Sequence, residues 1–293
     1  MVAYDWAALD WTTIQGGWMR YKHATWVTLG FLAVLIVSCP AVVSAESLAT
    51  IQARTGHFVF LPMVLKPRTF EPIPGASYNA LCMSCVSGWQ PADRDADEHP
   101  DLNLAMRGWR ETSRYRGLVS YNGGRDTNAP QLYGLFADER TPSISHVYQV
   151  YDWNWSTMER GDVISNWEVT LLGAATSPGE IIHVPRSGYR VGVDGGGSYA
   201  VMVLYATSSS VTLKFSREDN VVHGYTLHLD GLSVDPALVS LYKSCDASGR
   251  RSLPALRERQ PFARAGGGEL RVAIRDCGQF MDPRSRKDWW YGR

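Results

Sequence analysis

Tyr199-Ala-Val-Met-Val-Leu-Tyr-Ala-Thr-Ser-Ser-Ser-Val-Thr-Leu-Lys-Phe215 reads as strand, turn, strand. Two runs rich in β-branched and aromatic residues, Tyr199–Tyr205 and Val211–Phe215, flank the serines 208–210. Such side chains suit a pleated, half-buried surface, and a serine cluster suits a turn. Outward from this hairpin the pattern repeats in Trp167–Leu172, Glu180–Val184, Gly188–Val193, Tyr225–Leu229 and Glu269–Arg275. Gly173, Ser177-Pro178-Gly179, Ser187-Gly188, Gly195-Gly196-Gly197 and Gly266–Gly268 punctuate the runs. Short strands between regular turn signals predict a mainly β chain, an antiparallel β-sandwich with a short helix and long loops. The helix is read at Asp235–Lys243, with Asp235 as N-cap, Pro236 in the first turn, and Leu238, Leu241 and Tyr242 on one face.

Upstream, Val147-Tyr-Gln-Val-Tyr-Asp-Trp-Asn-Trp155 alternates. One parity carries Val147, Gln149, Tyr151, Trp153 and Trp155; the other carries Tyr148, Val150, Asp152 and Asn154. Residues 67–100 are rich in Pro, Asp, Ser and Gly, and Ala92–Pro100 reads as an exposed loop. Its acidic residues lack the Gly and terminal Glu of an EF-hand loop. Residues 46–144 are therefore expected to form an extended, loop-rich β region, and residues 145–293 a β domain with a Trp-rich tail. In that tail Trp289 and Trp290 are expected to pack on the body.

The chain has 293 residues, and Lys+Arg and Asp+Glu balance at 29 each. That balance gives no electrostatic footprint for nucleic acid. Apolar residues at 45% and charged residues at 20% indicate a globular chain rather than a disordered one. No residue from Ala24 to Ala45 is charged; Arg20, Lys22 and His23 precede this stretch, and small residues stand at 43 and 45. This is the layout of a secretory signal cleaved after Ala45, with translation starting at Met19. The alternatives are an uncleaved membrane anchor, since the stretch is long enough to span a bilayer, or lipidation at Cys39. Residues 1–45 thus place the body outside the cell or in its envelope.

After such cleavage Cys82, Cys85, Cys245 and Cys277 remain, which permits disulfides in three possible pairings. Cys82-Met-Ser-Cys85 could be a redox motif or half a zinc site; loop-like surroundings favour a local bridge or two inert thiols. Ser216-Arg-Glu-Asp-Asn220 is expected to be a solvated turn. No Gly-x-Ser-x-Gly elbow is present, and Gly195–Gly197 lacks the Gly-Lys-Ser/Thr of a phosphate loop.

Three segments carry a resemblance. They are Ser177-Pro-Gly-Glu-Ile-Ile-His-Val-Pro-Arg-Ser-Gly-Tyr-Arg-Val191, Leu256-Arg-Glu-Arg-Gln-Pro-Phe-Ala263, and Glu269-Leu-Arg-Val-Ala-Ile-Arg-Asp-Cys-Gly-Gln-Phe-Met-Asp-Pro283. Over residues 145–285 the chain resembles the lysostaphin-type zinc endopeptidases. The resemblance implies that family's small antiparallel sandwich. It also implies a zinc held by the His and Asp of an H-x-x-x-D strand and by the last His of an H-x-H strand. Here the H-x-H positions hold Glu269 and Arg271, and a guanidinium offers no lone pair to a metal. Asp152 stands for the Asp, Tyr148 takes the His position, and His146 lies two residues earlier. Tyr225-Thr-Leu-His228-Leu is loosely similar to the family's Y-x-H-L segment.

The expectation is a degenerate, non-catalytic, cofactor-free domain that acts as a binding or scaffold module. Tyr151, Trp153 and Trp155 would contact cell-wall glycan or peptide. The alternative is a divergent zinc hydrolase of peptidoglycan or peptides, using His146, Asp152 and His228. A third reading is an envelope protein that only assembles with partners.

Overall fold

Both arms of the serine hairpin form: every residue from Val201 to Ala206 joins the apolar core, and alternate residues Val211, Leu213 and Phe215 do so in the second arm. The computed structural model describes residues 70–194 and 197–293. The leader readings at 1–45, with Met19 and Cys39, lie outside the described residues.

In chain order the strands are β1 (Asn79–Cys82), β2 (Trp109–Thr112), β3 (Ile144–Asn154), β4 (Glu159–Val163), β5 (Leu171–Ala175) and β6 (Ile181–His183). Then come β7 (Gly192–Asp194), β8 (Gly197–Tyr199), β9 (Val201–Ala206), β10 (Ser210–Lys214), β11 (Tyr225–Asp230) and β12 (Leu232–Val234). The last are β13 (Ser252–Leu256), β14 (Pro261–Ala265), β15 (Glu269–Asp276) and β16 (Gln279–Phe280). The helices are α1 (Leu104–Arg107), α2 (Pro236–Ala247) and α3 (Arg286–Trp289).

Among the described residues every named pairing is antiparallel, and the chain is mainly β. The large sheet runs β1-β13-β9-β10-β11-β15-β5-β3-β2, with β16 added to β15 and β4 added to β3. A smaller sheet runs β12-β14-β6. β1 and β2, from the loop-rich region before residue 145, are strands of the same large sheet.

One face of the large sheet is apolar. Leu213, Leu227, Leu229, Leu270, Val272 and Ile274 join Ile182 and Phe262 of the smaller sheet and Leu238 and Tyr242 of α2 in one buried cluster. Burial of this kind contributes about 25 cal/mol per Å². Asp235 caps α2 by accepting from the Ala237 amide at 2.9 Å, with Pro236 in the first turn, as its sequence predicts. In the C-terminal arm Trp289 and Trp290 are buried, and their indole N–H groups donate to the carbonyls of Asp282 and Pro283.

Ser216–Asn220 differs from its expectation. The Asp219 side chain is fully buried and takes two bonds from Arg250, at 2.6 and 2.7 Å. A partner 31 residues away turns a loop acid into a core ion pair.

Candidate functional site

The opposite face of the large sheet carries polar groups around a second, smaller apolar cluster of Leu104, Val150, Leu171, Ala273 and Phe280. Along β15, Glu269, Arg271, Ala273 and Arg275 alternate with the core residues, so they face away from the main core. Register aligns them with their neighbours. Asp230, Arg271, Gly173 and His146 form one rung across four strands. Thr212, His228 and Ala273 form the next.

Gly173 is the gap in the first rung. The Glu269 side chain lies over it, and a Cβ there would stand 2.5 Å from the Glu269 Cδ. Across that gap the carboxylate accepts from Ser145 Oγ at 2.5 Å, meets His146 Nδ1 at 2.5 Å, and accepts from Tyr148 Oη at 2.8 Å. Burial opposes ionisation of Glu269, but these three donors hold its carboxyl below the usual range. The same burial and carboxylate push the Tyr148 phenol up to about 12. Arg271 is pinned to Asp230 at 2.5 Å, and its guanidinium lies 5.3 Å from the Trp109 ring centre.

Further along the same strands the sheet forks. β5 fills the space between β15 and β3 only over their first halves. Beyond it β15 takes β16 as its neighbour and β3 takes β4. Between the prongs lies an open cleft of about 670 Å³. Its lining includes Arg107, Asp152, Trp153, Asp162, Arg275 and Phe280.

The ground beside the cleft is a buried charge cluster. Asp101 bonds Arg107 and Arg275, each at 2.7 Å. Burial would raise the Asp101 carboxyl, yet the two guanidinium groups bring it down to about 2. Arg275 also donates to the Gly278 carbonyl, which ties down the β15–β16 turn. Lys214, buried and donating to the His223 carbonyl, is pushed by burial down to about 8.

His228 is 1% exposed and stacks on Phe280. Thr212 gives its one hydroxyl proton to the Leu102 carbonyl at 2.7 Å, so it accepts from His228 Nδ1 at 3.0 Å. His228 is therefore the Nδ1–H tautomer, with a buried Nε2 that has no protein partner among the described residues. Burial pushes its pKa down to about 3.

The residues expected to rebuild a zinc site do not converge. His146 and His228 belong to strands three spacings apart, about 14 Å at ~4.8 Å per strand. Asp152 lies six residues beyond His146 on β3 and meets Arg107 at 3.3 Å. Among the described residues no group of three or more His, Cys, Asp or Glu could hold a metal ion. The ligand positions implied by the resemblance do not fit zinc either, since the last His of the H-x-H falls on the guanidinium of Arg271, held on Asp230, and the strand His falls on Tyr148, whose hydroxyl donates to Glu269.

The three aromatics are not one surface. A register shift, with its extra residue on β4, falls between Tyr151 and Trp153. Trp153 is 8% exposed and lines the cleft, Tyr151 is half-buried, and Trp155 is exposed beside Arg94 and His99. Cys82 and Cys85 form a disulfide, the local bridge. Cys245 is free and buried in α2, and Cys277 is free and exposed in the β15–β16 turn. Sequence reasoning missed Gly173, Asp101 and Arg107, and took Glu269 and Arg271 only as the lost H-x-H pair. The available signal was the Glu269-x-Arg271-x-Ala273-x-Arg275 alternation, three charged residues facing away from the core of a central strand.

No family model, no curated protein and no solved structure matches the chain.

Proposed function

We propose that the chain is an exported, non-catalytic binding module of the cell envelope, built on a degenerate peptidase-like domain and directed at cell-wall glycan or peptide. The observation that carries this is the state of the first rung. Glu269 and Arg271 occupy the H-x-H positions that the resemblance implies, the second of them the ligand position, and both are locked in hydrogen bonds and ion pairs within the protein. A carboxylate with three donors and a guanidinium held on Asp230 leave little capacity for a metal or a substrate. The cleft at the fork is open, within the volume range of ligand sites, and walled by aromatic and polar groups.

The test pairs two measurements on the purified protein: elemental analysis after incubation with zinc, and retention on insoluble cell-wall material. Negligible metal with retention is expected. About one zinc per chain, lost in Asp152→Ala, would refute the reading and favour the hydrolase. Neither metal nor retention, with stable complexes in envelope extracts, would favour the purely assembling role.

A further inference from the structure

The cleft has the form of a missing strand. β4 and β16 each have a single strand neighbour, on the side away from the cleft. The β15–β16 turn has φ of +45° at Cys277 and +80° at Gly278, the signs of a two-residue type I′ hairpin. Its ladder bonds therefore use Gln279 and Met281, and the Met281 amide indeed donates to the Ile274 carbonyl at 2.9 Å. Phe280, between them, turns its N–H and C=O toward the cleft. On the other prong the Ile164 amide donates to Val150 at 2.9 Å, so the preceding Val163 also turns its backbone outward. Two strand edges thus face one gap.

Trp153 adds an aromatic side chain to the wall. Trp153 is 92% buried by its 8% exposure, and its indole N–H has no acceptor among the described residues. A buried donor without an acceptor is costly, and this one is closed off from the open cleft, so Trp153 serves the cleft as an aromatic wall. The charge accessible at the rim is negative. Arg107 and Arg275 are 4% exposed and share Asp101, whereas the Asp152 side chain is 70% exposed and Asp162 is exposed.

We infer that the cleft takes an extended peptide segment carrying a cationic side chain, added as a strand between β4 and β16. Backbone bonds to Val163 and Phe280 supply affinity, and the rim carboxylates supply preference. This rests on the binding-module reading and gives its site an occupant.

The experiment titrates the full chain with acetyl-Val-Lys-Val-Thr-Val-amide, the same peptide with Glu for Lys, and a backbone N-methylated Lys peptide. Amide NMR shifts and hydrogen exchange are the readouts. The Lys peptide is expected to shift residues 159–166 and 278–281 and to slow exchange at Val163 and Phe280 by roughly tenfold at saturation. The Glu peptide is expected to bind roughly tenfold more weakly, and the N-methylated peptide not to bind. Asp152→Asn with Asp162→Asn, both exposed, should bring the Lys and Glu peptides to about parity.

No shift at these residues up to about 1 mM peptide overturns the proposal. So does equal binding of the N-methylated peptide, a response to a chitin oligosaccharide alone, or shifts that track self-association in sedimentation. Retention on wall material with a silent cleft would sink this inference and leave the binding-module reading standing; loss of both would sink both.

Discussion

Replacing Gly173 by alanine tests whether the first rung is a coupled network. The backbone φ at Gly173 is not in the left-handed region, so alanine meets no conformational penalty there and would by itself gain roughly 0.5–1 kcal/mol in a strand interior. The new Cβ would instead stand 2.5 Å from the Glu269 Cδ and force the carboxylate aside. Three bonds, to Ser145, His146 and Tyr148, then break or lengthen. Hydrogen bonds to a charged group contribute about 1.5–3 kcal/mol each when buried. The Glu269 side chain is 17% exposed and that of His146 44%, so water recovers part of this. The expected net cost of Gly173→Ala is about 2–3 kcal/mol.

Glu269→Ala should cost about the same, because it removes the same bonds. In the double variant the methyl fills space the carboxylate has left, so the total should stay near the Glu269→Ala value. The coupling is then at least ~1.5 kcal/mol, read from urea unfolding of the four proteins at neutral pH. Glu269 is depressed in the folded state, so its contribution is present above the ordinary glutamate pKa and is lost as pH falls through the folded value. The gap between wild type and Gly173→Ala should therefore close in acid. Additivity within ~0.5 kcal/mol, or a neutral Gly173→Ala, would refute the reasoning.

Three further predictions concern the buried groups. His228 is held down to about 3, so the unfolded chain binds its proton first and stability falls with pH below the ordinary histidine value. From pH 7 to pH 5 this one group should remove ~2 kcal/mol; burial depresses His99 and His183 in the same direction. In His228→Gln the slope of urea stability over that range should be correspondingly shallower, and an unchanged slope would count against neutral burial. Asp219→Ala strands Arg250, which keeps only Asp246, Tyr242 and the Leu204 carbonyl, and should cost ~3 kcal/mol or more by thermal or urea unfolding. Reduction of the four-residue Cys82–Cys85 loop should lower stability by only ~2 kcal/mol, while non-reducing peptide mapping should find Cys245 and Cys277 open to alkylation after unfolding.

Local signals in the sequence announce local structure. Asp235-Pro236 caps α2, and the serine cluster turns β9 into β10. Tyr225–Leu229 and Glu269–Arg275 each emerge as a strand one residue longer than read. Misreadings occur where distant partners decide. The expected strand Gly188–Val193 shrinks to β7 because the Gly188 amide is tied to the Asn128 carbonyl and the Tyr189 hydroxyl to Asp126. β13 escapes a propensity reading because it contains Pro254. Its register with β9 begins only at Ala255, so no ladder bond to β9 is lost at the proline. Asp101 and Arg107 sit in a stretch with no pattern of its own and gain their roles only by meeting Arg275.

One strand joins the two halves of the polar face. On β15, Glu269 and Arg271 belong to the closed network and Arg275 to the cleft wall, a separation of about 13 Å at ~3.3 Å per residue. β5 decides which end is closed. Where it intervenes, its bare Gly173 lets side chains from β3 and β15 reach each other and satisfy one another. Where it is absent, two strand edges part and their backbone groups turn toward open space. The partners of a charged residue on this face therefore depend on whether β5 lies beside it: Glu269 bonds across β5 to β3, and Arg275 bonds Asp101 and the β15–β16 turn. A change that extended β5 past Leu171 would be expected to close the cleft without touching Glu269. A change that shortened it would loosen the network first.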